Sequence, residues 1–165
     1  MLTFNTTNGK FNFRVAGLFI NNGRLLVHKL ISDDFYSLPG GRVEFMENTE
    51  TAIIREMKEE LNINVKVERL LWVGEQFFSL YGERFHEICY YYLLTTNDTK
   101  LKVDEDAFVI VDDGQVFEFR WMLDSELNEE IFYPVIIKGK INNLPVNIEK
   151  FVDVDNIVCN EFHRK

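Results

Sequence analysis

Three glutamates on one predicted helix are the residues in this sequence best suited to chemistry. Glu56, Glu59 and Glu60 are spaced i, i+3 and i+4, which places their side chains on one face of an α-helix. Like charges at this spacing destabilise a helix by roughly 0.2–0.5 kcal/mol. We therefore expect solvent or a cation to neutralise them. Mg²⁺ is such a cation, because it takes carboxylate oxygens together with phosphate oxygens.

The predicted helix has recognisable ends and an apolar side. Asn48 or Thr49 is a suitable N-cap residue, since short polar side chains accept hydrogen bonds from the first turn. The apolar residues Ile53, Met57 and Leu61 repeat at intervals of four. This stripe predicts that one face packs on the core while the glutamate face points elsewhere.

A glycine turn precedes the helix. Pro39-Gly40-Gly41 favours positive φ or a close backbone approach, because glycine has no Cβ. We expect Val43–Phe45 to form a brief extended piece between this turn and the helix. At the other end, Asn62 stands where a left-handed residue ends a helix, a conformation that asparagine tolerates.

The spacing from Gly41 to Ile63 resembles the Nudix box. In that motif a glycine is followed after five residues by glutamate and, seven residues later, by REUXEEXGU, in which U is a bulky apolar residue. Gly41, Glu47 and the run Arg55-Glu56-Met57-Lys58-Glu59-Glu60-Leu61-Asn62-Ile63 fit this pattern. Asn62 departs from it, because the family has glycine there. The departure concerns helix termination more than chemistry.

The resemblance implies roles for these residues. Glu56, Glu59 and Glu60 would be catalytic and would bind the metal, together with the backbone of Gly40. Gly41, Glu47 and Arg55 would support them. Arg55 is expected to form an ion pair with Glu47, or alternatively with Glu59 at i, i+4.

The resemblance also implies an activity, namely the hydrolysis of a diphosphate linkage in a nucleoside diphosphate derivative. The cofactor would be Mg²⁺, with Mn²⁺ as a substitute, and the partner a small phosphorylated substrate. The organic group on the diphosphate stays open. The identity of the general base also stays open. The candidates within the motif are Glu59 and Glu60. The candidates outside it are Glu83, Glu87, Asp112 and Asp113.

Two other functional classes compete with hydrolysis. One is a non-catalytic Nudix-like domain that binds a nucleotide or metabolite. A degenerate motif of that kind would be expected to lose one of the three helical glutamates, and all three are present. The other is an interaction domain with an acidic helix, against which the Pro-Gly-Gly turn at the correct distance argues.

Residues outside the motif are candidates for substrate binding. Arg14 lies in a first strand and could meet a phosphate or a carboxylate. Strand alternation places Glu87 on the same face as Cys89 and Tyr91, where a carboxylate is costly unless it is paired or belongs to a site. Phe35 is the aromatic candidate for stacking on a base, and other aromatic candidates are Phe77, Phe78 and Tyr81.

Composition limits the remaining possibilities. A chain of 165 residues with 46% hydrophobic residues is expected to form a single domain over 1–165. A net charge of −9 disfavours general nucleic-acid binding, which needs a basic surface. We found neither a membrane-length apolar run nor a signal-peptide pattern, so a cytoplasmic protein is expected.

The resemblance also implies that the protein could form a homodimer, because relatives in the family are often homodimers. Cys89 and Cys159 have no metal-type spacing, and Cys89 is expected to be buried.

The predicted element order is two strands, a helix, several strands and a second helix. It indicates an α+β fold, a Nudix-type α/β/α sandwich with a mixed β-sheet between helices. Segments 12–20 and 24–30 are predicted to form a hairpin. We further expect a short strand over Phe35–Leu38, a helix over Tyr133–Ile141 and a last strand over 147–153. Segment 65–80 is predicted as one bent strand or two.

Overall fold

The computed structural model describes residues 1–154. The strands are β1 (Thr3–Thr6), β2 (Gly9–Leu18), β3 (Ile20–Asn21), β4 (Arg24–Leu30), β5 (Gly40–Arg42), β6 (Lys66–Leu80), β7 (Glu83–Thr95), β8 (Ala107–Asp112), β9 (Gln115–Leu123) and β10 (Glu149–Val154). The helices are α1 (Thr49–Leu61) and α2 (Asp124–Glu129), with a 3₁₀ turn at Val135–Ile137. Cys159 lies outside the described residues.

The strands form two neighbouring sheets. One has the order β1-β2-β7-β6-β10, with β5 also beside β2, and the other has the order β3-β4-β9-β8. The pairs β2–β7 and β6–β10 are parallel, and the other pairs are antiparallel. The segment before β5 links the sheets: Ser37 bridges to His28 of β4, and the Gly17 N–H of β2 donates to the Pro39 carbonyl at 2.9 Å.

Helical segments cover both faces of these sheets. On one face α1 packs its buried residues Ile53 and Met57 in a cluster with Val15, Leu26 and other strand residues. On the opposite face Leu127 of α2 and Ile137 of the 3₁₀ turn join a second cluster. The α+β class and the sandwich of helices around a mixed sheet are therefore confirmed. No helix within residues 1–154 is long and apolar enough to cross a membrane.

The ends of α1 are those predicted from its sequence. Asn48 is the N-cap, and its side chain accepts a hydrogen bond from the Thr51 N–H at 2.9 Å. Asn62 ends the helix in the left-handed region with φ 53, and its N–H donates to the Lys58 carbonyl at 3.1 Å. Asparagine can therefore replace the motif's glycine without altering how the helix stops.

The helix predicted over Tyr133–Ile141 is wrong. Only Val135–Ile137 forms a single 3₁₀ turn. Pro134 lacks an N–H and disfavours the helical conformation of the residue before it. Gly139 has φ 78, which also ends any regular helix there.

The predicted first hairpin is only partly formed. The turn at Asn22-Gly23 is present, but it joins β4 to the two-residue β3, whereas β2 belongs to the other sheet and runs parallel to β7. The expected strand over Phe35–Leu38 is limited to isolated bridges. The extended piece placed at Val43–Phe45 lies earlier, in β5. In each case pairing with a distant strand sets the boundary, which local propensity does not encode.

The strands β6 and β7 form a long antiparallel hairpin. Segment 65–80 is one long strand over Lys66–Leu80. The turn residues Tyr81 and Gly82 have φ 51 and 79, as required by a two-residue turn with positive φ at both positions. Cys89 and Tyr91 are buried on the face predicted for them. The last predicted strand is also present, as β10.

The left-handed residue at the end of α1 gives a stability test. Asn62→Ala should lower the free energy of unfolding by about 1–2 kcal/mol, because alanine carries the left-handed steric cost without relief. Asn62→Gly should not destabilise the protein, because glycine adopts this conformation freely. Urea unfolding of the two variants beside wild type checks this, and equal stability of the alanine and glycine variants would contradict it.

Candidate active site

Arg55 organises the acidic residues of α1 and the loop before it. Its Nε and Nη2 donate to the two carboxylate oxygens of Glu47, each at 2.9 Å. Its Nη1 donates to Glu56 at 2.8 Å and to Glu59 at 3.1 Å. Both partners predicted for Arg55 are therefore used. The two-pronged pair with Glu47 is the stronger geometry, because a planar guanidinium matches a carboxylate.

The loop end of this arrangement is also fixed by backbone groups. The Arg55 Nη2 donates to the Arg42 carbonyl at 3.0 Å, and the Glu44 N–H donates to Glu47 at 2.9 Å. The hydrogen bond from Arg55 holds the pKa of Glu47 below its usual value. These donors thus keep Glu47 charged although burial opposes its charge, and they hold α1 in place against the segment after β5.

The two glycines of the turn are required by close contacts. Gly40 has φ 152, and a Cβ there would overlap the Val15 carbonyl of β2. A Cβ on Gly41 would overlap the carboxylate of Glu56. Glycine at both positions therefore lets β5 pair with β2 and lets a helix carboxylate lie directly on the backbone.

Gly40 lies between a carboxylate and a guanidinium. Its N–H donates to Glu60 Oε2 at 3.2 Å, and its carbonyl accepts from Arg14 Nη2 at 3.1 Å. Burial, and then the nearby charge of Glu56, raise the pKa of Glu60 to about 8. Burial also raises the pKa of Glu56, although Arg55 opposes that shift. The negative charge of these carboxylates is thus incompletely compensated by protein groups.

The oxygen atoms at this position suit a divalent cation in their chemistry. In this conformation no group of three or more His, Cys, Asp or Glu side chains within residues 1–154 is close enough to hold a metal ion. Guanidinium nitrogens contact these oxygen atoms instead: Arg55 donates to Glu56 and Glu59, and Arg14 donates to the Gly40 carbonyl. Carboxylate and carbonyl oxygens are what Mg²⁺ and Mn²⁺ prefer, so the residues fit such an ion.

The carboxylates considered as general base outside the motif lie in different environments. The charge of Asp112, at the end of β8, contributes to the raised pKa of Glu60, so Asp112 lies within electrostatic range of the motif. Glu83 is half-exposed, 4.0 Å from the Lys10 ammonium. Asp113 lies in the β8–β9 turn with φ 44. Glu87 is buried in the sheet.

The predicted substrate-binding residues are only partly brought together. Burial opposes the charge of Arg14, but Glu87 and Glu60 more than offset this and raise its pKa. Arg14 therefore lies between Glu87 and the motif. Phe35 packs edge-on against Tyr133, with ring centroids 5.9 Å apart.

The structure adds residues that sequence inspection passed over. Asn12 and Gln76 are buried on either side of Glu87, one on each neighbouring strand. The available signal was the Tyr81-Gly82 turn, because a two-residue turn fixes the register of β6 against β7. His28 is buried between Phe117 and Phe119, and burial lowers its pKa to about 3.

The lowered pKa of Glu47 predicts how stability depends on pH. A carboxylate whose folded pKa lies below its unfolded value of roughly 4.3 contributes stability above that pH and loses it as the pH falls through the folded pKa. Glu47→Gln should therefore destabilise the protein at pH 7, and the difference from wild type should shrink below about pH 4. Urea unfolding of both proteins between pH 3 and pH 7 measures it. A difference that stays constant across that range would contradict the ion pair.

Comparison with known proteins places this site in a family context. A family model described as NUDIX domain matches residues 11–138. An ADP-ribose pyrophosphatase from Methanocaldococcus jannaschii is 33% identical over 96 residues, which are 56% of this chain and 56% of that protein. The match thus spans only about half the length of this relative.

Two solved structures share the fold. A mutator MutT protein from Bacillus halodurans superposes with a TM-score of 0.59 at 16% identity, over 86% of this chain and 89% of that one. A UDP-X diphosphatase superposes with a TM-score of 0.56 at 14% identity, over 87% of this chain and 66% of that one. At these identities the likeness concerns the fold alone.

Proposed function

This chain belongs to the Nudix family, and from that premise we propose that it hydrolyses the diphosphate linkage of a nucleoside diphosphate derivative. The cofactor would be Mg²⁺, which Mn²⁺ could replace. The observation that carries the proposal is the joining of the helical glutamates to the glycine turn: Glu60 accepts from the Gly40 N–H, and Glu56 lies against Gly41. A solvated helix face would need neither contact.

Different residues at this site would bind the metal and position the helix. Glu56, Glu59, Glu60 and the Gly40 carbonyl would hold the metal, and Glu47 with Arg55 would keep the helix in register with the turn. When bound, divalent metal would neutralise the diphosphate, lower the pKa of an attacking water and stabilise the leaving phosphate. Arg14, which donates to the Gly40 carbonyl here, would exchange that hydrogen bond for one to a phosphate oxygen.

Two carboxylates are candidates for accepting the proton of the attacking water. Burial raises the pKa of Glu60, which makes its carboxylate more basic than an exposed one. Asp112 is the carboxylate outside the motif whose charge reaches Glu60. We assign the acceptance of the water proton to one of these two carboxylates.

The names of similar proteins support this substrate class. The M. jannaschii relative is named for ADP-ribose, and a structural neighbour is named for UDP-X. Both names describe a nucleoside diphosphate that carries a further group. The shared part is the diphosphate, which is the part that the metal and Arg14 would bind.

Loss of a metal ligand should strongly reduce turnover while leaving the fold intact. Glu60→Gln keeps the shape and the hydrogen bond from Gly40 but removes the charge, so we expect at least about a 100-fold loss of kcat/KM, the upper end for groups at metal sites. Mg²⁺-dependent phosphate or nucleotide release from a panel of nucleoside diphosphate derivatives and nucleoside triphosphates measures this.

The matched control is Glu50→Gln in the same helix. Glu50 is exposed in the first turn of α1, so the same chemical change should alter kcat/KM by less than about twofold, as for other exposed sites. If wild type binds a panel member tightly in Mg²⁺ but turns over none of them, the hydrolase proposal should be abandoned in favour of a binding domain.

A further inference from the structure

A buried row of polar side chains crosses three strands of the larger sheet. Glu87 on β7 lies opposite Gln76 on β6 and opposite Asn12 on β2. Their exposed fractions are 5%, 8% and 3%. Residues paired across strands point to the same face and have neighbouring side chains. The row therefore forms one continuous polar strip on a largely apolar sheet.

The hydrogen bonds within this row leave two atoms without a partner. The Asn12 side chain accepts from the Thr3 hydroxyl at 2.7 Å and donates to Glu87 Oε2 at 3.3 Å. The Gln76 Oε1 accepts from the Tyr91 hydroxyl. Within residues 1–154, no hydrogen bond uses the Gln76 amide nitrogen or Glu87 Oε1. Both atoms keep some contact with solvent. Within residues 1–154, the only side-chain N or O atom that is fully buried and has no hydrogen-bond partner is His28 Nδ1.

These two atoms are a donor and an acceptor on side chains that are paired across neighbouring strands. The amide nitrogen of Gln76 can donate twice, and Glu87 Oε1 can only accept while it is ionised. Polar groups taken out of bulk water without a partner cost free energy. A ligand that offers an acceptor next to a donor would satisfy both atoms at once.

The row lies between an aromatic surface and the proposed diphosphate site. Two residues towards the β6–β7 turn, Phe78 and Phe85 stack with ring centroids 5.1 Å apart and an interplanar angle of 10°. Arg14 lies two residues beyond Asn12 on β2, in the direction away from the aromatic pair. Its side chain donates to the Gly40 carbonyl. All these positions share one face by strand alternation, and each step of two residues covers about 6.6 Å.

The tip of the same hairpin is fixed in position. The Tyr81 hydroxyl donates to Asp33 at 2.6 Å, which ties the β6–β7 turn to the segment that follows β4. This bond raises the pKa of Tyr81 to about 12, so the tie persists at physiological pH. The aromatic pair and the polar row thus belong to a braced part of the hairpin.

We propose that Gln76 and Glu87 bind the hydrogen-bonding edge of a nucleobase whose ring rests on the Phe78–Phe85 pair. This inference rests on the proposed function, because Arg14 and the glycine turn would hold the diphosphate of the same ligand. The edge of a nucleobase carries a donor next to an acceptor, and its flat face stacks on aromatic rings. A sugar hydroxyl could satisfy the polar pair but would not use a planar surface in this way.

Non-hydrolysable ligands separate base recognition from diphosphate recognition. The probes are four nucleoside α,β-methylene diphosphates (of adenosine, guanosine, cytidine and uridine), a base-free ribose 5-methylene diphosphate and methylenediphosphonate, each titrated calorimetrically in Mg²⁺. Wild type should prefer at least one nucleoside probe over the ribose probe. The affinity for that nucleoside probe should fall about tenfold in each of Glu87→Gln and Gln76→Met, the loss expected for one hydrogen bond. The affinities for the two base-free probes should not fall.

The control is Glu75→Gln, next to Gln76 but on the opposite face of the sheet, where Glu75 contacts His86 at 3.2 Å. It should leave all affinities within about twofold, and thermal unfolding should show every variant folded. Unchanged base preference in both row variants, or equal weakening of every probe, would overturn the inference. So would equal weakening of the nucleoside and ribose probes. If the predicted preference is found but nothing is hydrolysed, the proposed function fails and the base subsite stands.

Discussion

The concentration of negative charge on one face of α1 is the constraint on which the rest of this structure depends. Carboxylates at i, i+3 and i+4 repel one another, and burial makes the repulsion more costly. The protein answers with guanidinium groups: Arg55 joins Glu47, Glu56 and Glu59, and Arg14 reaches the adjacent turn. Glu60 still has a raised pKa. The guanidinium groups therefore compensate only part of the charge repulsion on this face of α1.

The same constraint explains why the glycine turn and the sheet are arranged as they are. Glu56 can approach the backbone this closely only where there is no Cβ, and Gly41 provides that position. Gly40 is held by pairing of β5 with β2, and β2 also carries Arg14 and Asn12. One strand thus connects the acidic helix to the polar row at Glu87. Specificity and chemistry would then be built on a shared, rigid element.

Local spacing and long-range pairing account for what could and could not be predicted from the sequence. The N-cap at Asn48, the left-handed Asn62 and the Arg55 ion pair follow from residues close in the chain, and they were predicted. Gln76 and Asn12 gain meaning only from register across three strands, and they were missed. The helix predicted over Tyr133–Ile141 does not form, because Pro134 and the left-handed Gly139 interrupt the segment. The roles of the site residues remain predictions.

Direct measurement of metal binding tests whether the glycine turn and the helical glutamates form a divalent-cation site. Mn²⁺ can be titrated into wild type and Glu56→Gln while free Mn²⁺ is followed by electron paramagnetic resonance. We expect saturable Mn²⁺ binding to wild type that Mg²⁺ displaces, and an affinity at least about tenfold weaker in the variant. Absence of saturable binding to wild type, or equal affinity of the two proteins, would contradict it.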